Sequence, residues 1–542
     1  MSETGGTPQS DDDLFHDTDY VVGQDNIEGS LGPVGFDIHN PVFVVSALTA
    51  MTFILLTLIF PETAGGVFQS IVSFATQTLD WYFMIVVDFF VIFCFALIVS
   101  PYGGIRLGGK DAEPEYSYLS WFAMLFAAGI GIGLLFFGVL EPVYHMNVSS
   151  PLGVPSPIGP DGQIIPGNIA EARALGIAGT YFHWGLHGWA VYVVMALALS
   201  LFTYNKGLPF SIRSAFYPIL GERVWGWWGH AIDILAVFST LFGLATSLGL
   251  GAQQANAGLN FVFGLEVNTS TQVIIIMLVT AVALVSVWRG LDGGVKILSE
   301  INMVMALLFF LFVLFAGPTL AALDGFWTGL VTYVRDFIPL SAPFGREDDA
   351  YREGWSAFYW AWWVSWAPFV GMFIARVSRG RTVREFVICV LLIPSLMIFI
   401  WMGVFGGIAI ETLFADPENS LVKEYVIDNY SPELSLFGML AELPLTGLMS
   451  TIAIVLALVF FVTSSDSGSL VVDTITAGGK IDAPKPQRIF WATIEGLIAI
   501  VLLIGGGLSA LQAGVTATGI PFSVVMVLMC YSIIRALQTE PR

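Results

Sequence analysis

Five tryptophans, Trp355, Trp360, Trp362, Trp363 and Trp366, stand within twelve residues, with Tyr359 among them. At ~100° per residue on a helix, Trp355, Tyr359, Trp362 and Trp366 fall at i, i+4, i+7 and i+11 on one face, and Trp363 lies one step round. That face is almost wholly aromatic. Leu or Val suffices for packing or for lipid contact, and tryptophans of membrane proteins collect where the indole N–H reaches water. The chemistry such a face offers is attraction for a cation with no N–H to donate, such as a quaternary ammonium, at ~0.5–2 kcal/mol per ring. An interfacial belt packed against neighbouring helices is the competing account.

Two further groups of residues have chemical meaning. Gly129, Gly131 and Gly133 lie in the run Gly129-Ile130-Gly131-Ile132-Gly133. As small residues four apart they let another helix approach; as a stretch poor in side chains they unwind, offering N–H groups to an anion and carbonyls to a sodium ion. His183 and His187 stand at i and i+4 without an evident third metal ligand, so helix-to-helix hydrogen bonding is expected of them. Asp88 and Asp233 are expected to be paired or near an interface.

The elements that position these residues follow from composition. The chain has 542 residues, 56% of them hydrophobic and 12% charged, with a mean hydropathy of +0.78. Soluble domains carry about a quarter charged residues, so this is an integral membrane protein. Apolar runs of about twenty residues, each able to cross ~30 Å of hydrocarbon, recur along the chain and exclude a barrel of short alternating strands. Twelve spans are expected, at about 42–60, 80–100, 118–140, 177–202, 231–258, 272–288, 298–318, 355–377, 385–411, 445–470, 489–512 and 516–537. The third holds the glycine run and the eighth holds Trp366-Ala367-Pro368-Phe369-Val370-Gly371. Paired interrupted spans in corresponding places mark transporter sites, so spans 3–7 and 8–12 are expected to form a five-plus-five inverted repeat after two extra helices.

If the amino terminus is inside, sixteen Lys and Arg fall in cytoplasmic loops and five (Arg173, Arg335, Arg346, Arg352 and Lys423) outside. Both termini are therefore expected in the cytoplasm. Residues 1–40 form an acidic tail with nine carboxylates and no Lys or Arg, expected to be disordered. Residues 41–538 are the transporter domain and 539–542 a short end. The piece Phe326 to Phe337 is expected along the membrane surface. Net charge is -21 with only six Lys, which argues against nucleic acid or anionic lipid as a main partner and suggests a high-salt cytoplasm. Cys94, Cys389 and Cys530 lie in apolar spans with no disulfide or metal spacing.

The chain resembles the betaine/choline/carnitine transporter family over nearly everything from span one to span twelve. The resemblance rests on Gly129 to Gly133 followed by Glu141-Pro142, on Phe182-His183-Trp184-Gly185-Leu186-His187-Gly188-Trp189-Ala190-Val191-Tyr192, on Tyr359 to Trp366 running into Pro368-Phe369-Val370-Gly371-Met372-Phe373, on Arg376 to Phe386, and on Thr463-Ser464-Ser465-Asp466-Ser467-Gly468. It implies an all-α membrane protein of the sodium-symporter (LeuT-like) type and a homotrimer in the cell membrane. It also implies an aromatic substrate box of Trp184, Trp189, Tyr192 and Trp363, with Trp362 and Trp366 serving the pathway. Drawn on one continuous helix, Trp184, Tyr192 and Trp189 fall at about 0°, 80° and 140°, an arc able to cup a ligand that Trp363 closes. No carboxylate is expected among these rings, which favours permanently alkylated cations.

For the coupling ion the resemblance implies a sodium site of Ala127, Ile130, Phe460, Thr463 and Ser464, oxygen ligands without full charges that suit a hard monovalent ion. On residue type alone, Thr463 and Ser464 equally bond back to their own helix. Between Arg223 and Arg289 only His230 can carry positive charge, so no Lys or Arg replaces sodium on span five. A second sodium site retains Thr240 and Phe369, but Leu244 stands where a second Thr is expected. The C-terminal tail departs from relatives with a long basic, stress-sensing one.

An enzyme would need a nucleophile and base or a metal set within the bilayer, a channel repeated pore-lining polar residues, and a receptor a signalling domain. The reading is a secondary transporter importing glycine betaine with sodium and no other cofactor. Choline, carnitine or ectoine, proton coupling, and sodium-independent exchange are the alternatives.

Overall fold

The computed structural model describes residues 18–32, 34–129, 131–289 and 296–541. Residues Asn26–Leu31 (β1) and Val34–His39 (β2) pair as an antiparallel hairpin. This corrects the expectation of disorder for that part of the tail; residues 1–17 lie outside the described residues. Asn26 Nδ2 donates to Asp37 Oδ1 (2.7 Å) and to the Ala477 carbonyl (2.8 Å), and Lys480 Nζ reaches Asp37 Oδ2 (2.6 Å) and Glu28 Oε1 (2.7 Å). Gln487 exchanges hydrogen bonds with the Asp37 backbone. The hairpin is thus tied to the far end of the chain.

The helices follow in order: α1 Asn40–Ile59, α2 Pro61–Thr78, α3 Asp80–Val99, α4 Tyr118–Gly129, α5 Ile132–Asn147, α6 Pro166–Trp184, α7 Leu186–Ser200, the short α8 Tyr217–Leu220, α9 Trp227–Phe263, α10 Thr269–Arg289, α11 Lys296–Ala316, α12 Thr319–Arg335, the short α13 Phe337–Ser341 and α14 Asp349–Tyr351, α15 Ala357–Val377, α16 Val383–Ala415, the short α17 Leu421–Lys423 and α18 Ser435–Ala441, α19 Thr446–Thr476 and α20 Lys485–Gln538. Among the described residues, nine helical stretches are long and apolar enough to cross a membrane. The stretch made by α6 and α7 is the most enclosed, 94% of its apolar window being buried, against 22% for α11. The aromatic and histidine residues of the fourth span therefore sit at the centre of the bundle.

Several elements differ from the sequence expectation. Helix α2 falls between the first two expected spans; its glycines, Glu62 and Gln69 dilute its apolarity, but it packs against α20. The third span is interrupted as expected: α4 ends at Gly129, Gly131 is extended (φ -160°, ψ -169°), and α5 carries on to Asn147. The interruption expected in the eighth span is absent. Helix α15 runs unbroken through Pro368, whose missing N–H removes one backbone bond, and an irregular turn at Arg352–Ser356 precedes it. The second break lies instead in the fourth span at Gly185 (φ -100°, ψ -136°), which separates α6 from α7.

The last two expected spans form α20, broken at Gly506 and Gly507 rather than near residue 514; Gly507 has φ 60° and ψ -133°, a backbone region essentially reserved for glycine. Helix α12 starts seven residues before the amphipathic piece read from sequence. It buries Ala322, Gly325 and Gly329 and exposes Leu320, Trp327 and Val334.

Candidate functional site

A cavity of about 540 Å³ lies where the α4–α5 interruption meets α6, α7, α15 and α19, within the usual size of small-molecule sites. Its aromatic wall is Trp184 from α6, Tyr192 from α7, and Trp362, Trp363, Trp366 and Phe369 from α15. Its other surface carries Ala127, Phe460, Thr463, Ser464 and Ser467, with Asn302 and Ser299 from the start of α11. None of the described residues lining it bears a formal charge.

Three of the indoles are seated on glycines of facing helices. A Cβ added at Gly133 would stand 2.5 Å from Trp184 Cη2, one at Gly188 2.4 Å from Trp363 Cε2, and one at Gly243 2.8 Å from Trp366 Cδ1. Any side chain at these positions collides with a ring. Trp366 is also held by a hydrogen bond from Nε1 to the Gly243 carbonyl (2.8 Å). Tyr192 and Trp363 have ring centroids 4.8 Å apart, and Trp184 lies 6.0 Å from Trp363 at an interplanar angle of 75°. The buried Trp362 N–H has no protein acceptor, leaving a donor at the wall.

Trp189 is placed differently from the sequence reading. It is fully buried and does not line the cavity; it stands edge-on behind Tyr192 (5.4 Å) and beside Trp363 (5.9 Å). The single-helix wheel fails because Gly185 breaks the helix between Trp184 and Trp189. Of the glycines, Gly131 and Gly133 line the cavity and Gly129 closes α4.

Beside the wall stands a second layer of rings. Phe137 lies 5.6–6.2 Å from Trp184, Trp355, Tyr359 and Trp362, centroid to centroid. Behind them is a carboxylate the sequence reading did not place. Glu141, on α5, is fully buried and hydrogen-bonds Trp184 Nε1 (2.8 Å), the Tyr359 hydroxyl (2.5 Å), His183 Nδ1 (2.5 Å) and His145 Nε2 (3.1 Å). The expectation of no carboxylate among the rings is corrected. The Glu141-Pro142 pair lies just past the third expected span, whereas α5 carries on to Asn147 and takes the carboxylate beneath the rings.

His183 and His187 do not form a pair. His183 joins Glu141 and Ser356, and His187 Nε2 meets Asp88 Oδ1 and Ser341 Oγ, each at 3.0 Å. Asp233 is paired with Arg213 (3.3 Å).

Of the residues considered for sodium, Ala127, Phe460, Thr463, Ser464 and Phe369 share the cavity, while Ile130 lies outside the described residues. Thr463 Oγ1 donates back to its own helix, at 3.1 Å from the Val459 carbonyl and 3.2 Å from that of Phe460, which leaves its lone pairs free to accept a cation. Thr240 is buried away from the cavity and donates to the Ala236 carbonyl (2.8 Å). Leu244 fills the contact between α9 and α19, where a Cβ on Gly468 would fall 2.1 Å from Leu244 Cδ1. Thr240 and Phe369 are thus not brought together at one lined site. Gly188 and Ser467 stand inside motif stretches that give them no role of their own, and Gly243, Ser247 and Asn302 fall outside every motif.

Residues 41–542 match the model of the betaine/carnitine/choline family of transporters. A glycine betaine/proline/choline transporter of Vibrio parahaemolyticus is 52% identical over 537 residues, covering 97% of this chain and 95% of its own. The glycine betaine transporter OpuD of Bacillus subtilis is 42% identical over 508 residues, 93% of this chain and 95% of its own. A solved manganese transporter of Eremococcus coleocola aligns over 80% of this chain and 83% of its own at 14% identity and a TM-score of 0.39, too distant a likeness to argue from. The match of family model and relatives across almost the whole chain makes this protein a member of the betaine/carnitine/choline transporter family, and a transporter rather than an enzyme.

Proposed function

We propose that this chain imports glycine betaine, coupled to sodium, by alternating access. The observation that carries the reading is the uncharged cavity, lined both by the rings of Trp184, Tyr192, Trp362, Trp363 and Trp366 and by the hydroxyl residues Thr463 and Ser464. Ring faces suit a trimethylammonium head, and neutral oxygens suit a sodium ion. The relatives named for glycine betaine make it the first substrate to test.

Twelve crossings follow if α4–α5 and α6–α7 each count once, α20 counts twice, and α2 and α12, which are less apolar, do not cross. A five-plus-five inverted repeat is supported by the lining: the first members of the two halves (α4–α5 and α15) and the third members (α9 with Ser247, α19 with Thr463) all meet at the cavity. With both termini in the cytoplasm, which the bias of Lys and Arg supports, Ser299 and Phe373 are lining residues near the cytoplasmic ends of their spans, so the reading is an inward-facing state of a plasma-membrane transporter, a homotrimer by family resemblance. One sodium per substrate is the expected ratio, because Leu244 offers no oxygen where a second hydroxyl would complete the other site.

The test is uptake into proteoliposomes. An inward sodium gradient should drive accumulation, and Thr463→Ala with Ser464→Ala should abolish or uncouple it. Full uptake with potassium on both sides, or dependence on protons alone, refutes sodium coupling. Preference for choline, carnitine or ectoine over glycine betaine in competition refutes the substrate.

A further inference from the structure

The most densely hydrogen-bonded group near the cavity is one that does not line it. Glu141 offers two oxygens to four side chains on three elements. An ionised carboxylate has about four lone-pair sites and no donor of its own. Trp184 and Tyr359 donate to Oε2, and His145 and His183 meet Oε1 through ring nitrogens; with the protons on those nitrogens, four donors fill the sites of an ionised carboxylate. The remaining ring nitrogens are matched as well: His183 Nε2 to Ser356 Oγ (2.8 Å) and His145 Nδ1 to Ser149 Oγ (2.7 Å). Glu141, His145 and His183 have the spacing of a metal trio, but every one of their donor atoms is already engaged within the protein.

The consequence falls on Trp184. Its six-membered ring rests on Gly133, and its N–H is fixed by Glu141 Oε2 with the Tyr359 hydroxyl 3.2 Å away. The plane of the ring is therefore set at both ends. Donation of the indole N–H to an anion also moves electron density into the ring, and density on the ring face is what attracts a cation. Trp362, whose N–H has no protein acceptor, receives no such push.

We propose that Glu141 is a positioning residue of the substrate box, which orients and enriches the Trp184 face and so sets the preference for a permanently charged head over an uncharged head of the same shape. The inference rests on the quaternary-ammonium reading above. The probes that separate the two are glycine betaine and 3,3-dimethylbutanoate, its carbon isostere, with the same shape and carboxylate but no charge on the head.

Dissociation constants are measured for both probes with purified wild type, Glu141→Gln and Trp184→Phe. Wild type should prefer glycine betaine. Glu141→Gln should weaken glycine betaine about tenfold and the isostere by less than about twofold, so that the ratio collapses. Trp184→Phe, which keeps a ring and removes the donor, should lower the ratio in the same direction and carries the test if Glu141→Gln does not fold. Equal weakening of both probes, or an unchanged ratio in both variants, overturns the proposal while leaving the substrate reading in place. A wild type that binds the two probes alike overturns the substrate reading and this inference with it.

Discussion

Gly188→Ala is the perturbation that asks most directly whether the box depends on ring placement. The new methyl would lie 2.4, 2.6 and 2.7 Å from Cε2, Cδ2 and Cζ2 of Trp363, under the fused edge of the indole. Carbon atoms pack at about 3.5–4.0 Å, so the ring must retreat by about 1 Å. A tilt cannot relieve three atoms met face-on, and retreat is limited by Tyr192 (4.8 Å) and Trp189 (5.9 Å). Overpacking of this kind costs about 1–3 kcal/mol of stability. Loss of one ring from a cation's shell, ~0.5–2 kcal/mol, raises the dissociation constant between about twofold and thirtyfold. Titration of tryptophan fluorescence with glycine betaine, beside the melting temperature, reads both effects. Gly66→Ala in α2 is the control: nothing lies within 4 Å of its Cβ, and a helical Ala for Gly should stabilise by ~0.5–1 kcal/mol without touching affinity. A folded Gly188→Ala protein that binds as tightly as wild type would refute the claim that the glycine seats the ring.

Acid should loosen the hairpin. His39 is buried at the start of α1 and accepts from Arg213 Nη1 (3.1 Å), and its proton affinity is pushed down to about 3, by burial first and then by the charges of Arg213 and His230. Released, it titrates near 6.5, so the docked state binds fewer protons, and the stability it contributes, complete above about 6.5, is lost as pH falls towards 3. Protease cleavage at residues 26–39 should therefore rise between pH 7.5 and 5, and His39→Gln should flatten that rise. Glu495 is a buried carboxylate with Oε2 on Ser465 Oγ (3.1 Å) and Oε1 without a partner, so Glu495→Gln should leave the melting temperature unchanged or raise it; a drop of several degrees would show that the carboxylate has a partner the geometry does not reveal.

The helices were legible because lipid forces backbone groups to bond within their own segment, and each crossing needs about twenty apolar residues. What that rule cannot see is a half-apolar helix such as α2, or where a span breaks. Pro368 looked like a break and is absorbed within α15; Gly185 looked ordinary and separates α6 from α7. The site suffered accordingly. Trp184, Tyr192, Trp362, Trp363 and Trp366 line the cavity, but Trp189 sits where a helical wheel that does not cross Gly185 intact cannot put it. Glu141 gains its importance only because α5 carries it under Trp184 and Tyr359, which its place in a motif does not show. That Gly133, Gly188 and Gly243 seat indoles is not legible even where the glycine itself stands out, as Gly133 does, because a glycine's partner in space leaves no trace in its own neighbourhood of sequence.

The clasp between hairpin and chain end has a consequence in time. Asp37 and Gln487 are 450 residues apart, yet each bonds the other's backbone or side chain. At ~5–20 residues per second, the partner of the hairpin emerges from the ribosome about 20 to 90 s after the hairpin itself. A lone two-stranded hairpin is marginal in water, so it acquires lasting structure only when α19, Lys480 and the start of α20 arrive. During that interval its edges are open to other chains. The closing of the clasp is then among the last events of assembly, and a nascent protein whose hairpin resists proteolysis is one whose penultimate helices are already in place.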